Sequence, residues 1–104
     1  MRVVLHPEAR DELRSAALWY DQRQPGLGEE LVAEVNSALD AAASASHSFP
    51  LWPGVKANNS IRRVVMRRFP YVVAFETHSD ELLVLAVAHG RRRPLYWLAR
   101  ATQT

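Results

Sequence analysis

Histidine, arginine and aromatic side chains gather near the C-terminal end, where Ala86 to Trp97 reads AVAHGRRRPLYW. His89 titrates close to neutrality when unperturbed, which suits a general acid or a phosphate contact. Arg91, Arg92 and Arg93 carry planar forks that hold phosphate or carboxylate. Tyr96 and Trp97 are flat enough to stack on a base, and Tyr96 also has a transferable proton. Four more arginines, Arg62, Arg63, Arg67 and Arg68, stand upstream in IRRVVMRR. Basic groups interleaved with aromatics form a footprint for a polyanion such as nucleic acid. Each group also has a plainer explanation: a histidine bonded to backbone at a strand end, solvated arginines, and aromatics packed against the loop that holds Trp52.

Several chemistries are excluded by what the sequence lacks. There is no cysteine, so disulfides, thiol nucleophiles and Cys-ligated zinc are ruled out, in keeping with a reducing, cytoplasmic setting. The four histidines show no metal-ligand spacing with each other or with carboxylates. No Gly-rich phosphate loop is present, and PGLG (25–28) reads as a helix corner. Neither a metal nor any other cofactor is expected. A nuclease built on this chain would have to work without metal. The longest apolar run, Leu82 to Ala88, is too short to span a bilayer, so no membrane partner is expected.

The net charge of +2 conceals an asymmetry. Residues 1–54 carry four basic groups (Arg2, Arg10, Arg14 and Arg23) against eight acidic ones, whereas residues 55–104 carry nine basic against three acidic. All but Lys56 of those nine are arginine. The partner implied is anionic: nucleic acid or an acidic protein segment.

One domain, residues 1–104, has to position these groups. RVVL (2–5) reads as a strand, and His6-Pro7-Glu8 as a helix start, because proline is tolerated at the first helical position and acids favour that end. Ala9, Leu13, Ala16, Ala17 and Tyr20 recur at helical spacing, and the helix stops near Gln24 before Pro25-Gly26. Leu27, Leu31, Val35, Ala38, Leu39 and Ala42 mark a second helix, giving a hairpin that needs a sheet to cover. Residues 44–60 read as a loop pinned by Phe49 and Trp52. Strands are predicted at Ile61 to Arg67, Tyr71 to Glu76 and Leu82 to His89, with the last one central. Simple alternation puts Leu83, Leu85, Val87 and His89 in one row. Leu95 to Arg100 reads as a terminal strand or short helix, and Ala101 to Thr104 as a frayed end. The fold class is α+β: an N-terminal strand, an α-helical hairpin, a three-stranded antiparallel meander and a short C-terminal element.

The ordered segments HPEA (6–9), WYDQRQPGLG (19–28), IRRVVMRRFPYVVAF (61–75), LLVLAVAH (82–89) and RRRPLYW (91–97) strongly resemble the RelE/ParE superfamily of bacterial type II toxins, over nearly the whole chain. The resemblance implies a twisted, mostly antiparallel sheet and a cognate antitoxin whose C-terminal segment wraps the toxin, forming a toxin–antitoxin hetero-oligomer. It also implies one of two activities. RelE-like members cut messenger RNA on the ribosome, where the 2′-hydroxyl attacks the adjacent phosphate and the site needs a base, an acid and stabilising cations. ParE-like members bind DNA gyrase and trap its cleaved complex, with no chemistry of their own.

Ribonuclease members place a basic residue just after the aromatic of the central turn, whereas this chain has Val72 after Tyr71. The Arg-Phe-Pro-Tyr turn and the PGLG corner resemble the ParE-like, plasmid-stabilisation branch. The expectation is therefore a gyrase-directed toxin whose target or antitoxin surface comprises Arg62, Arg63, Arg67, Arg68, Arg91, Arg92 and Arg93, with Trp97 supporting it. The alternative is a ribosome-dependent endoribonuclease with Arg63, His89, Arg92 and Tyr96 as its catalytic set.

Overall fold

The computed structural model describes residues 1–55 and 60–102; the part of the predicted loop that includes Lys56, and the last two residues of the predicted frayed end, lie outside them. The order of elements is β1 (Arg2–Leu5), α1 (Pro7–Arg23), α2 (Leu27–Ser44), β2 (Arg62–Val65), β3 (Tyr71–His78) and β4 (Glu81–His89), with short 3-10 turns at Ser46–Ser48 and Leu98–Arg100. The sheet order is β1-β4-β3-β2. β4 is central, parallel to β1 and antiparallel to β3, and β2 closes the meander antiparallel to β3. This is the α+β architecture expected from the sequence.

The helical hairpin is set by local chemistry. His6 caps α1 by accepting the Glu8 N–H on Nδ1 at 3.1 Å, and Pro7 supplies a helical φ where no amide donor is needed. The corner uses its two glycines differently. Gly26 takes a left-handed φ of 91° that a side chain would resist. Gly28 sits against α1 so closely that a Cβ there would meet the Ala17 carbonyl oxygen at 2.2 Å. Asp21 Oδ1 accepts the Gly28 N–H at 2.8 Å and fixes the crossing.

Both faces of the sheet are covered. Ala9, Ala16, Leu31, Val35 and Leu39 of the helices pack on Val73, Phe75, Leu82, Val84 and Val87. Across the sheet, Trp97 lies with Ile61, Ala74, Leu85, Ala86 and Ala88. The two loop aromatics divide between the layers: Phe49 meets Phe75 on the helical side with ring centroids 6.0 Å apart, and Trp52 meets Trp97 on the far side at 4.8 Å. The C-terminal segment, held by Trp97, therefore acts as the lid of a second core.

Two expectations need correction. The single row Leu83, Leu85, Val87 and His89 does not form, because a bulge shifts the β3–β4 register: Ala74 pairs with Ala86, while Phe75 pairs with Val84, leaving Leu85 as the extra residue. Leu85 and Ala86 thus share the far face, and Val87 turns back toward the helices. The C-terminal end is also not simply frayed, since the buried Glu76 carboxylate accepts the Thr102 N–H on Oε1 at 2.7 Å.

Candidate functional site

The bulge creates the centre of the site. One inserted residue strips ladder partners from the backbone around Leu85 to Val87, and buried polar groups of this kind need replacements. Glu12 on α1 and Arg100 in the C-terminal segment supply them. Glu12 Oε1 accepts the Val87 N–H at 3.0 Å, and Arg100 Nη1 donates to the Leu85 carbonyl at 3.0 Å. The two side chains also meet as a fork on a carboxylate, Nη1 to Oε1 at 3.1 Å and Nη2 to Oε2 at 3.0 Å, a geometry stronger than a single bond. Tyr96 Oη completes the set by donating to Glu12 Oε2 at 2.7 Å.

Both ends of the ion pair are well shielded, with 13 % and 16 % of their side-chain surfaces exposed. Burial works against the charge of Arg100, but its hydrogen bond and attraction to Glu12, with help from Glu8, more than compensate and raise its pKa. Burial also pushes the Tyr96 phenol well above its usual range, reinforced by the hydrogen bond to Glu12 and by that carboxylate's charge. Tyr96 thus keeps its proton and donates a hydrogen bond to Glu12 at neutral pH. Tyr71 is raised as well, by burial and then by Tyr20.

The arginines expected at the surface occupy different positions. Arg91, Arg92 and Arg93 are exposed in the loop after β4. That loop is tightly built: the Arg91 N–H bonds His89 Nδ1 at 3.0 Å, the Arg92 N–H bonds the His89 carbonyl at 3.0 Å, and the Gly90 N–H bonds the Pro70 carbonyl at 2.8 Å. The last bond joins the loop to the β2–β3 turn, so Arg67 and Arg68 share this end of the sheet. Glu34 from α2 holds that turn by accepting the Arg67 N–H on Oε2 at 2.5 Å, and Arg68 pairs with Glu30.

Arg62 is tied down, donating from Nη1 to the Phe49 carbonyl at 2.6 Å. Arg63 stands opposite Ala74, on the face away from the helices, with its buried Nε lacking a partner among the described residues. His89 stands opposite Tyr71 on the helical side, with ring centroids 5.2 Å apart. The fold therefore brings Arg92 and Tyr96 together, the Arg92 Cζ lying 4.0 Å from the Tyr96 ring centre. It leaves Arg63 and His89 on opposite faces. Trp97 is 1 % exposed, a packing residue rather than part of any contact surface.

Glu12, Arg100 and Glu76 were not singled out from the sequence. Glu76 carried one visible signal, a lone carboxylate ending the apolar run YVVAF. Its Oε1 lies 3.2 Å from His78 Nε2 outside hydrogen-bond geometry, and Oε2 has no partner among the described residues. Glu12 and Arg100 carried no such signal, each resembling an ordinary surface charge. Among the described residues no group of His, Cys, Asp and Glu could hold a metal, and no helix is long and apolar enough to cross a membrane.

Comparison with known proteins follows the same outline. Residues 3–94 match the family model of the ParE toxin of the type II toxin–antitoxin system, parDE. Among solved structures, the chain is similar to one described as the chromosomal ParDE TA system from P. aeruginosa, with a TM-score of 0.71 over 86 % of this chain and 95 % of that one. The identity is 14 %, so this second likeness is one of fold. No curated protein matches.

Proposed function

Because the chain belongs to the ParE toxin family of type II toxin–antitoxin systems, we propose that it arrests bacterial growth by binding DNA gyrase in the cytoplasm and is silenced by a cognate antitoxin. The observation that carries this reading is the loop of Arg91, Arg92 and Arg93: three exposed arginines with no carboxylate partner among the described residues, Arg92 lying over the Tyr96 ring. They project from a turn that is itself rigidly bonded. Arginines held this way are ready for an anionic surface, with little side-chain order left to impose on the loop that carries them. An acidic antitoxin segment fits the same loop and would occlude it.

The gyrase reading is favoured over RNA cleavage by the placement of Arg63 and His89. A ribonuclease of the expected kind needs both at one phosphate, whereas here a sheet lies between them. His89 also spends Nδ1 on the Arg91 amide, leaving the loop dependent on it.

The test is a plasmid assay with purified protein, gyrase and ATP. Loss of supercoiling and toxin-dependent linear DNA, reversed by the antitoxin encoded beside the gene, is the expected result. Replacing Arg91, Arg92 and Arg93 together with alanine should abolish it while leaving the melting transition in place. Intact supercoiling alongside cleaved messenger RNA in a translation reaction would overturn the proposal.

A further inference from the structure

A cleft of about 480 Å³ opens between α1 and the arginine loop, within the ~300–1,000 Å³ range of small-molecule sites. Its walls include Glu8, Asp11, Ser15, Trp19, Tyr71 and Arg92. Their unused hydrogen-bonding capacity divides by side. On α1, Asp11 and Ser15 are exposed, and neither has a side-chain partner among the described residues. Glu8 makes only a 3.6 Å approach to Arg100, with most of its side chain in solvent. Across the cleft, Arg92 lies on Tyr96 with no carboxylate partner among the described residues. Glu12 and Arg100 behind them are saturated by each other, by Tyr96 and by the bulge, so they form a rigid, internally neutralised floor.

Aromatic surfaces complete the walls, Trp19 on α1 and Tyr71 at the start of β3. Trp19 is 48 % exposed, with Arg23 stacked at 3.4 Å from its ring centre, and Tyr71 is fixed by ring contacts to Tyr20 and His89. A ligand that satisfies this cleft has a flat ring, a donor edge for a carboxylate and an anionic group for Arg92. Among nucleobases, guanine alone presents two adjacent donors, N1–H and N2–H, on its pairing edge. Adenine and cytosine set one donor beside an acceptor, which a carboxylate repels, and uracil has a single donor.

We propose that this cleft binds a guanine nucleotide: the base against Trp19 with its donor edge on Asp11, and the phosphate on Arg92. The inference shares Arg92 with the gyrase reading but does not rest on it. It applies equally to a free nucleotide and to an unstacked guanine in a single strand, since both present the same base and phosphate.

Tryptophan fluorescence tests it, because Trp19 is half exposed while Trp52 and Trp97 pack on each other. GMP, guanosine, AMP, CMP and inorganic phosphate are titrated into the purified protein, together with an oligo-dT strand carrying one central dG. GMP should bind saturably, and at least about tenfold more tightly than AMP, as expected of a two-donor contact to one side chain. Asp11→Asn should remove that preference, and Arg92→Ala should weaken GMP while leaving guanosine unchanged. A strand that outcompetes GMP identifies nucleic acid as the source, and the reverse order identifies the free nucleotide; both support the site. Equal response to GMP and AMP, an unchanged preference in Asp11→Asn, a response to phosphate alone, or none at all would each overturn it. Asp11 and Arg92 are exposed, so both variants should fold, as a melting curve on each will establish.

Discussion

At the level of single residues, Glu12 is the side chain on which most depends. It binds four groups, from β4, Tyr96 and Arg100, and a shielded carboxylate stripped of such partners, or partners stripped of it, costs several kcal/mol. Glu12→Ala should therefore lose on the order of 3 kcal/mol in urea unfolding, whereas Glu8→Ala, whose side chain is mostly solvated, should change little. Equal effects would mean that the fork adds no net stability. Tyr96 gives a pH-dependent version of the same argument. Its folded pKa is raised, so its neutral form stabilises the native state fully below the ordinary tyrosine pKa of about 10 and is lost as pH rises through the folded value. Stability of the wild type should fall from about pH 10 upward. Tyr96→Phe should be weaker by about 1–2 kcal/mol at neutral pH, with a shallower alkaline fall, the remainder tracing to Tyr71. Parallel curves for the two proteins would refute this assignment.

Among elements, the α1–α2 corner and the β4 bulge do the positioning. The corner separates two reasons for glycine, and the separation can be measured. Gly28→Ala drives a Cβ into the Ala17 carbonyl, which backbone cannot yield without moving one helix off the other, so a loss of about 2–3 kcal/mol is expected. Gly26→Ala meets open space and carries only the left-handed φ, worth about 1 kcal/mol. Denaturant midpoints of the two variants check the order; a Gly28→Ala protein as stable as Gly26→Ala would show that the helices can separate freely. The bulge has the wider consequence. By adding Leu85 it turns Val87 and His89 toward the helices and sets the arginine loop beside α1 and Tyr71, forming the cleft wall.

For the molecule as a whole, stability depends on two cores that share one sheet. The helices cover one face; the other is covered by a segment with little regular structure, anchored by Trp97, Arg100 and the Thr102 amide. Trp97→Ala should cost about 3–5 kcal/mol, a large share of the marginal stability of a small domain, and should release the arginine loop from its seat. Trp19→Ala, at a half-exposed position, should cost far less. Thermal melts of the two variants, with loss of near-ultraviolet ellipticity in the first, will separate them; similar melting points would mean that the second core contributes little.

The order of elements, their boundaries to within a few residues, the centrality of β4 and the basic character of its far end were all legible in the sequence. Each rests on interactions between near neighbours: apolar period, capping groups, and turn residues at Pro25-Gly26 and Phe69-Pro70. Tertiary structure alone decided which arginines meet, that Arg63 and His89 part company, and that Glu12 joins Arg100 across 88 residues of chain. The physical reason is that a bulge shifts the facing of every residue beyond it, yet depends on packing against a helix and a tail remote in sequence. Local patterns carry no trace of such pairings, because the groups that replace the lost ladder bonds become neighbours only when the chain has folded.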